Sequence, residues 1–102
     1  MVLDDLIQLI KSRKNCDANK SYTARLFNQG LEECCKKFGE ESVELIIAAL
    51  NKKDDNLKQE AADLIYHFFV LLELCNVDFE DILSVLNGRS NKSGLQEKSN
   101  RL

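Results

Sequence analysis

The chain is 102 residues long, room for one domain with a modest core. Its 44% hydrophobic and 30% charged residues, with no proline or tryptophan, are the composition of a globular protein. A net charge of −3, from 14 basic and 17 acidic residues, gives no general attraction to nucleic acid. No stretch approaches the roughly 20 apolar residues of a membrane span, and no basic segment followed by an apolar run opens the chain, so the cytoplasm is the expected compartment.

Leu3, Leu6, Ile7 and Ile10 recur at helical spacing and predict a first amphipathic helix ending near Lys11-Ser12-Arg13-Lys14. Residues 15–21 are polar and read as a loop. A short second helix opens at Ser21-Tyr22-Thr23-Ala24-Arg25, with Ser21 or Thr23 as its cap, and Gly30 separates it from the next. Leu31, Cys34, Cys35, Phe38, Val43, Ile46, Ile47 and Leu50 share one side of a third helix from about Leu31 to Leu50. Gly39 lies inside it, and a helical glycine costs about 1 kcal/mol relative to alanine. A bend, or the close approach of a neighbour or ligand, is the expected reason.

After a polar connection through residues 52–56, a fourth helix is predicted from about Leu57 to Cys75. Asn76-Val77-Asp78 reads as a turn, with Phe79, Ile82, Leu83 and Leu86 on the inner side of a fifth helix. The expected organisation is an all-α helical bundle of about five helices over residues 1–88, followed by a polar, basic tail over 89–102. The tail's composition suits either a frayed end or a strap over an anionic ligand. The fourth helix is apolar almost all round, more than one such chain can cover, so a homodimer is expected. Cys16, Cys34, Cys35 and Cys75 show no CxxC spacing and only one histidine accompanies them; they read as reduced thiols, buried or partly buried.

Two acidic clusters stand out. Glu40, Glu41 and Glu44 fall within an arc of about 100° on the third helix, and Glu60 and Asp63 are one turn apart on the fourth. Glu60 belongs to the seam Glu60, Leu64, His67, Leu71, Leu74, where a carboxylate loses solvation and needs a cation or a metal beside it. A short connection makes the two helices antiparallel neighbours, so these five carboxylates can converge. An all-oxygen ligand set suits Mg²⁺ or Mn²⁺ over zinc. The same residues also satisfy the plainer description of a solvated face with ordinary salt bridges. His67 reads as a substrate contact or a hydrogen-bonded core residue, and Tyr66 as packing.

Glu-Glu-x-x-Glu at 40–44 followed by Glu-x-x-Asp at 60–63 resembles the signature of the MazG-like all-α nucleotide pyrophosphohydrolases. Ser21-Tyr22-Thr23-Ala24-Arg25-Leu26, Lys37-Phe38-Gly39-Glu40-Glu41, Ile47-Ala48-Ala49, and Glu60 through His67 narrow the likeness to the phosphoribosyl-ATP pyrophosphatases. Lys92-Ser93-Gly94-Leu95-Gln96-Glu97-Lys98 is similar to the end of many of them. The resemblance implies hydrolysis of phosphoribosyl-ATP to phosphoribosyl-AMP and pyrophosphate, the second step of histidine biosynthesis, with Mg²⁺ and a helical dimer. It implies Glu41, Glu44, Glu60 and Asp63 as metal ligands, with Glu40 as a further ligand or the group that orients water. Arg25, Lys37 and the tail's Lys92, Ser93 and Gly94 are the candidates for the phosphates, and Ser21, Tyr22, Thr23 and His67 for other substrate contacts. Cys34-Cys35, Phe38 and Asn87-Gly88 depart from the pattern without touching its acids. A sister enzyme clearing non-standard nucleoside triphosphates and a non-catalytic dimerisation module are the alternatives.

Overall fold

The computed structural model describes residues 1–90, which form α1 (Leu3–Arg13), α2 (Tyr22–Gln29), α3 (Leu31–Leu50), α4 (Asp54–Leu74) and α5 (Phe79–Ser90). No strand occurs among the described residues, and the fold is the expected all-α bundle. Residues 91–102, with the tail candidates Lys92, Ser93 and Gly94, lie outside them.

Local chemistry accounts for the helix ends. Asp4 and Asp5 open α1 while Lys11 and Arg13 close it, opposing the helix dipole at both ends. Ser21 caps α2: its hydroxyl accepts a hydrogen bond from the Ala24 amide at 3.2 Å. Gly30, at φ +90°, is the single residue between α2 and α3, and a residue bearing a Cβ would be strained there. Helix α4 starts at Asp54, earlier than the apolar spacing implies, because Asp54 and Asp55 suit a first turn even though they carry no hydrophobic signal. Only Asn51, Lys52 and Lys53 remain between α3 and α4, with Lys52 in the left-handed region at φ 56°. Helix α5 continues through Gly88 to Ser90.

So short a connection makes α3 and α4 an antiparallel hairpin: Phe38 meets Phe68 at 6.2 Å between ring centroids, and further along α3 Glu41 meets Asp63. The core lies toward the Phe68 end of the hairpin, where Ile10, Leu26, Cys34, Phe69 and Val70 pack together, with Leu26 fully enclosed. Lys11 and Lys14 reach Glu73 at 3.2 and 3.7 Å and tie α1 to α4. Phe79 meets Phe69 edge-on at 5.1 Å and brings the start of α5 to the core.

Three expectations need correction. An added Cβ at Gly39 would meet nothing within 4 Å, and α3 runs unbroken through it, so no neighbour in the described chain demands that glycine. Leu83 and Leu86, expected on the inner side of α5, are exposed, because only the first turn of α5 reaches the core. Of the four free thiols, only Cys34 is buried; its Sγ donates to the Leu26 carbonyl at 3.3 Å, and burial pushes the thiol up. Cys16, Cys35 and Cys75 are exposed, Cys35 because it points away from the core-facing Cys34 on the same helix.

The hairpin also presents an uncovered apolar face. Val43, Ile46, Ile47 and Leu50 on α3 are open to solvent, Leu50 at 75%, and Ile65 on α4 is exposed as well. No helix among the described residues is long and apolar enough to cross a membrane.

Candidate active site

Glu41 and Glu44 are one turn apart on α3, and Glu60 and Asp63 are one turn apart on α4. The hairpin brings one carboxylate oxygen each from Glu41, Glu60 and Asp63 within 4.8 Å of one another. Glu41 and Glu60 are half-buried, and Oε2 of each is shielded from water without a hydrogen-bond partner among the described residues. Burial pushes the Glu41 carboxyl up, the Glu44 and Asp63 charges push it further, and His67 partly opposes them. Glu60 is raised by its burial and by the Glu44, Glu41 and Asp63 carboxylates. No ion pair among the described residues relieves the three clustered acids. Acids held together with orphaned oxygens are a donor set that could hold a metal cation.

Two predicted acids stand outside this trio. Glu44 is exposed but close enough to act on both Glu41 and Glu60. Glu40 is exposed and lies 4.0 Å from the Lys36 ammonium; one residue along a helix turns a side chain by about 100°, which takes it away from α4.

Beside the trio sits an aromatic group. His67 is buried and its Nδ1 lies 2.8 Å from the Asp63 carbonyl oxygen; a carbonyl only accepts, so Nδ1 is the donor of that bond. The Tyr22 hydroxyl faces the His67 Nε2 at 3.5 Å, a long contact. Ser21 and Thr23 are buried, the first engaged as the α2 cap and the second hydrogen-bonded to the Tyr66 hydroxyl, so both hydroxyls are used within the fold. Arg25 is exposed, its Nε donating to the Ala18 carbonyl at 3.3 Å, and Lys37 is half-buried.

Tyr66, expected only to pack, also carries a hydrogen bond. Its ring is half-buried, its hydroxyl is bound to Thr23, and burial pushes the phenol up while that bond pulls it back. A tyrosine in an apolar helical run needs a partner for its hydroxyl, and that need was the available signal. A separate groove of about 180 Å³ between α1, α4 and α5, lined by Ile7, Lys11, Phe69, Leu72, Glu73 and Phe79 among others, contains none of the clustered acids.

The chain is thus an all-α bundle in which two neighbouring helices bring carboxylates together. The chain belongs to the phosphoribosyl-ATP pyrophosphohydrolase family, whose model matches residues 3–90. It is 48% identical to the phosphoribosyl-ATP pyrophosphatase of Roseobacter denitrificans over 99% of this chain and 96% of that protein. The proteins of the same name from Ruegeria sp. and Parvibaculum lavamentivorans are 46% and 43% identical, over 98% and 97% of this chain and 95% and 91% of their own lengths.

Proposed function

We propose that this enzyme hydrolyses phosphoribosyl-ATP to phosphoribosyl-AMP and pyrophosphate, the second step of histidine biosynthesis, in the cytoplasm. The convergence of Glu41, Glu60 and Asp63 within 4.8 Å, in a chain of this family, is the observation that carries the proposal.

Glu41, Glu60 and Asp63 would hold a divalent cation, Mg²⁺ or Mn²⁺, with Glu44 beside them. Bound there, the cation supplies the positive charge that lets a polyphosphate approach the carboxylates and that stabilises the charge growing on it as the bond breaks. The antiparallel hairpin supplies position, since two rigid helices hold the acids before substrate arrives. Cleavage falls between the α and β phosphorus atoms: a water oxygen adds to phosphorus and the bridging oxygen leaves with pyrophosphate. Glu44, exposed and one turn from Glu41 on α3, is the candidate to accept the water's proton. Arg25 and Lys37, with Lys92, Ser93 and Gly94 of the tail, are the candidates for the outer phosphates and the second ribose phosphate. His67, its Nδ1 held by the Asp63 carbonyl, is a further candidate for a substrate contact.

The protein is further proposed to work as a homodimer, with the uncovered face of α3 and α4 against a second copy. Val43, Ile46, Ile47, Leu50 and Ile65 support this, because so much clustered apolar surface is unfavourable in water.

The test is pyrophosphate release from phosphoribosyl-ATP, with Mg²⁺ and with EDTA, beside the same assay on deoxynucleoside triphosphates. Release that requires Mg²⁺ and strongly favours phosphoribosyl-ATP is expected. Equal release from the deoxynucleotides, or none from phosphoribosyl-ATP, refutes the substrate assignment.

A further inference from the structure

The chain has two tyrosines and no tryptophan, and the fold places the two tyrosines against each other beside the acidic trio. Tyr66 stands on α4 one residue before His67; Tyr22 and Thr23 are the first two residues of α2. The Tyr66 hydroxyl is hydrogen-bonded to the buried Thr23 hydroxyl, joining the start of α2 to the acid-bearing helix. The Tyr66 ring stacks on Tyr22 at 6.3 Å and 24° and meets His67 edge-on at 5.3 Å and 89°. Tyr22 meets His67 edge-on as well, at 6.3 Å and 78°. The Tyr22 ring is thus braced on two sides, yet the residue is 52% exposed.

Packing alone explains the buried ring of Tyr66 but not the arrangement around Tyr22. An aromatic ring left in water is ordinarily free to turn; this one is held against a stack, an edge and a hydroxyl contact, next to a carboxylate cluster. A neutral ring beside acids does not recruit phosphate. It suits the planar, uncharged part of a nucleotide, since a base stacks on an aromatic face whatever its hydrogen-bonding edge.

We infer that Tyr66 is a positioning residue: through its bond to Thr23 and its stack on Tyr22, it holds the Tyr22 ring as a surface on which the base of the substrate rests. The inference rests on the pyrophosphohydrolase reading of the adjacent acids and adds to it the piece of the substrate that the acids do not address.

Tyr66→Phe and Thr23→Val each delete the one hydrogen bond and remove no ring. Each is expected to raise KM for phosphoribosyl-ATP about fivefold, while kcat stays within about twofold. The double variant should be no worse than either single one, because both remove the same bond. Thr23→Ser, which keeps the hydroxyl, should restore KM, and the rise in Tm caused by Mg²⁺ should be the same in every variant. With no tryptophan in the chain, tyrosine fluorescence reports these two rings alone. AMP should quench it in the wild-type protein, and Tyr66→Phe should need about fivefold more AMP for the same quenching.

Unchanged KM in both single variants, or a lowered Tm with no change in KM and no change in AMP quenching, overturns the inference and makes Tyr66 a packing residue. If the wild type quenches with AMP but does not cleave phosphoribosyl-ATP, the substrate assignment fails and the stacking surface stands. Cleavage without quenching sinks the stacking surface alone.

Discussion

Replacing Glu41 by glutamine should move stability and function in opposite directions. Its carboxylate lies within 4.8 Å of Asp63 and has an oxygen that is shielded from water and unpartnered. At that separation two unit charges repel by roughly 0.9 kcal/mol even under water-like screening. Glu41 is only partly enclosed, so salt and solvent weaken the effect, and the metal-free protein should gain about 0.5–1 kcal/mol at neutral pH. For a domain of this size that is a rise in Tm of about 2–8 °C. The pH dependence carries the same signature. The folded carboxyl is raised above 4.5, so between pH 4.5 and its folded value the native state holds more proton than the unfolded chain. This group's contribution to stability is therefore complete at or below pH 4.5 and is lost as pH rises through the raised value. Glu41→Gln should erase that loss. Thermal unfolding followed by far-UV circular dichroism in EDTA, from pH 4.5 to neutral, measures the wild-type-minus-variant difference. The same variant should lose the rise in Tm on adding Mg²⁺, and turnover with it. A lower metal-free Tm at neutral pH with an unchanged pH slope, or a retained response to Mg²⁺, would refute the reasoning.

Leu26→Ala empties a fully enclosed site and should cost about 3 kcal/mol, read as a lower urea midpoint at an unchanged slope. Gly39→Ala should stabilise α3 by up to about 1 kcal/mol, because its backbone is helical and a Cβ there meets nothing within 4 Å; a drop in Tm would show that something approaches Gly39 in the assembled protein. Ile46→Glu places a charge on the uncovered face, where Ile46 is 58% exposed in the single chain, and should convert a dimer to monomer in sedimentation analysis; an unchanged mass would argue against this face as the contact.

Much of the site is legible from spacing alone. Glu41 with Glu44, and Glu60 with Asp63, share helix faces by the 3.6-residue period, and a short polar connection can only fold their two helices back on each other. Five helices follow from apolar recurrence in the same way, and α4's early start at Asp54 shows the limit of that signal, since acids that suit a first turn carry no hydrophobic mark. Spacing does not say how far a helix is rotated about its axis. Glu40, Glu41 and Glu44 occupy one arc, and only the rotation of α3 against α4 turns Glu41 inward and leaves Glu40 to Lys36.

What the chain's order of residues determined by itself is local: which side chains share a face, where helices begin and break, and which acids travel together. The tertiary structure alone decided that Ser21 and Thr23 use their hydroxyls inside the fold, that Tyr66 reaches back to α2, and that the apolar face of α3 finds no cover within the described chain. Helical periodicity is a property of a few consecutive residues. The partner of a hydroxyl, or of an apolar face, is chosen by packing among segments far apart in sequence, and no single segment contains that information.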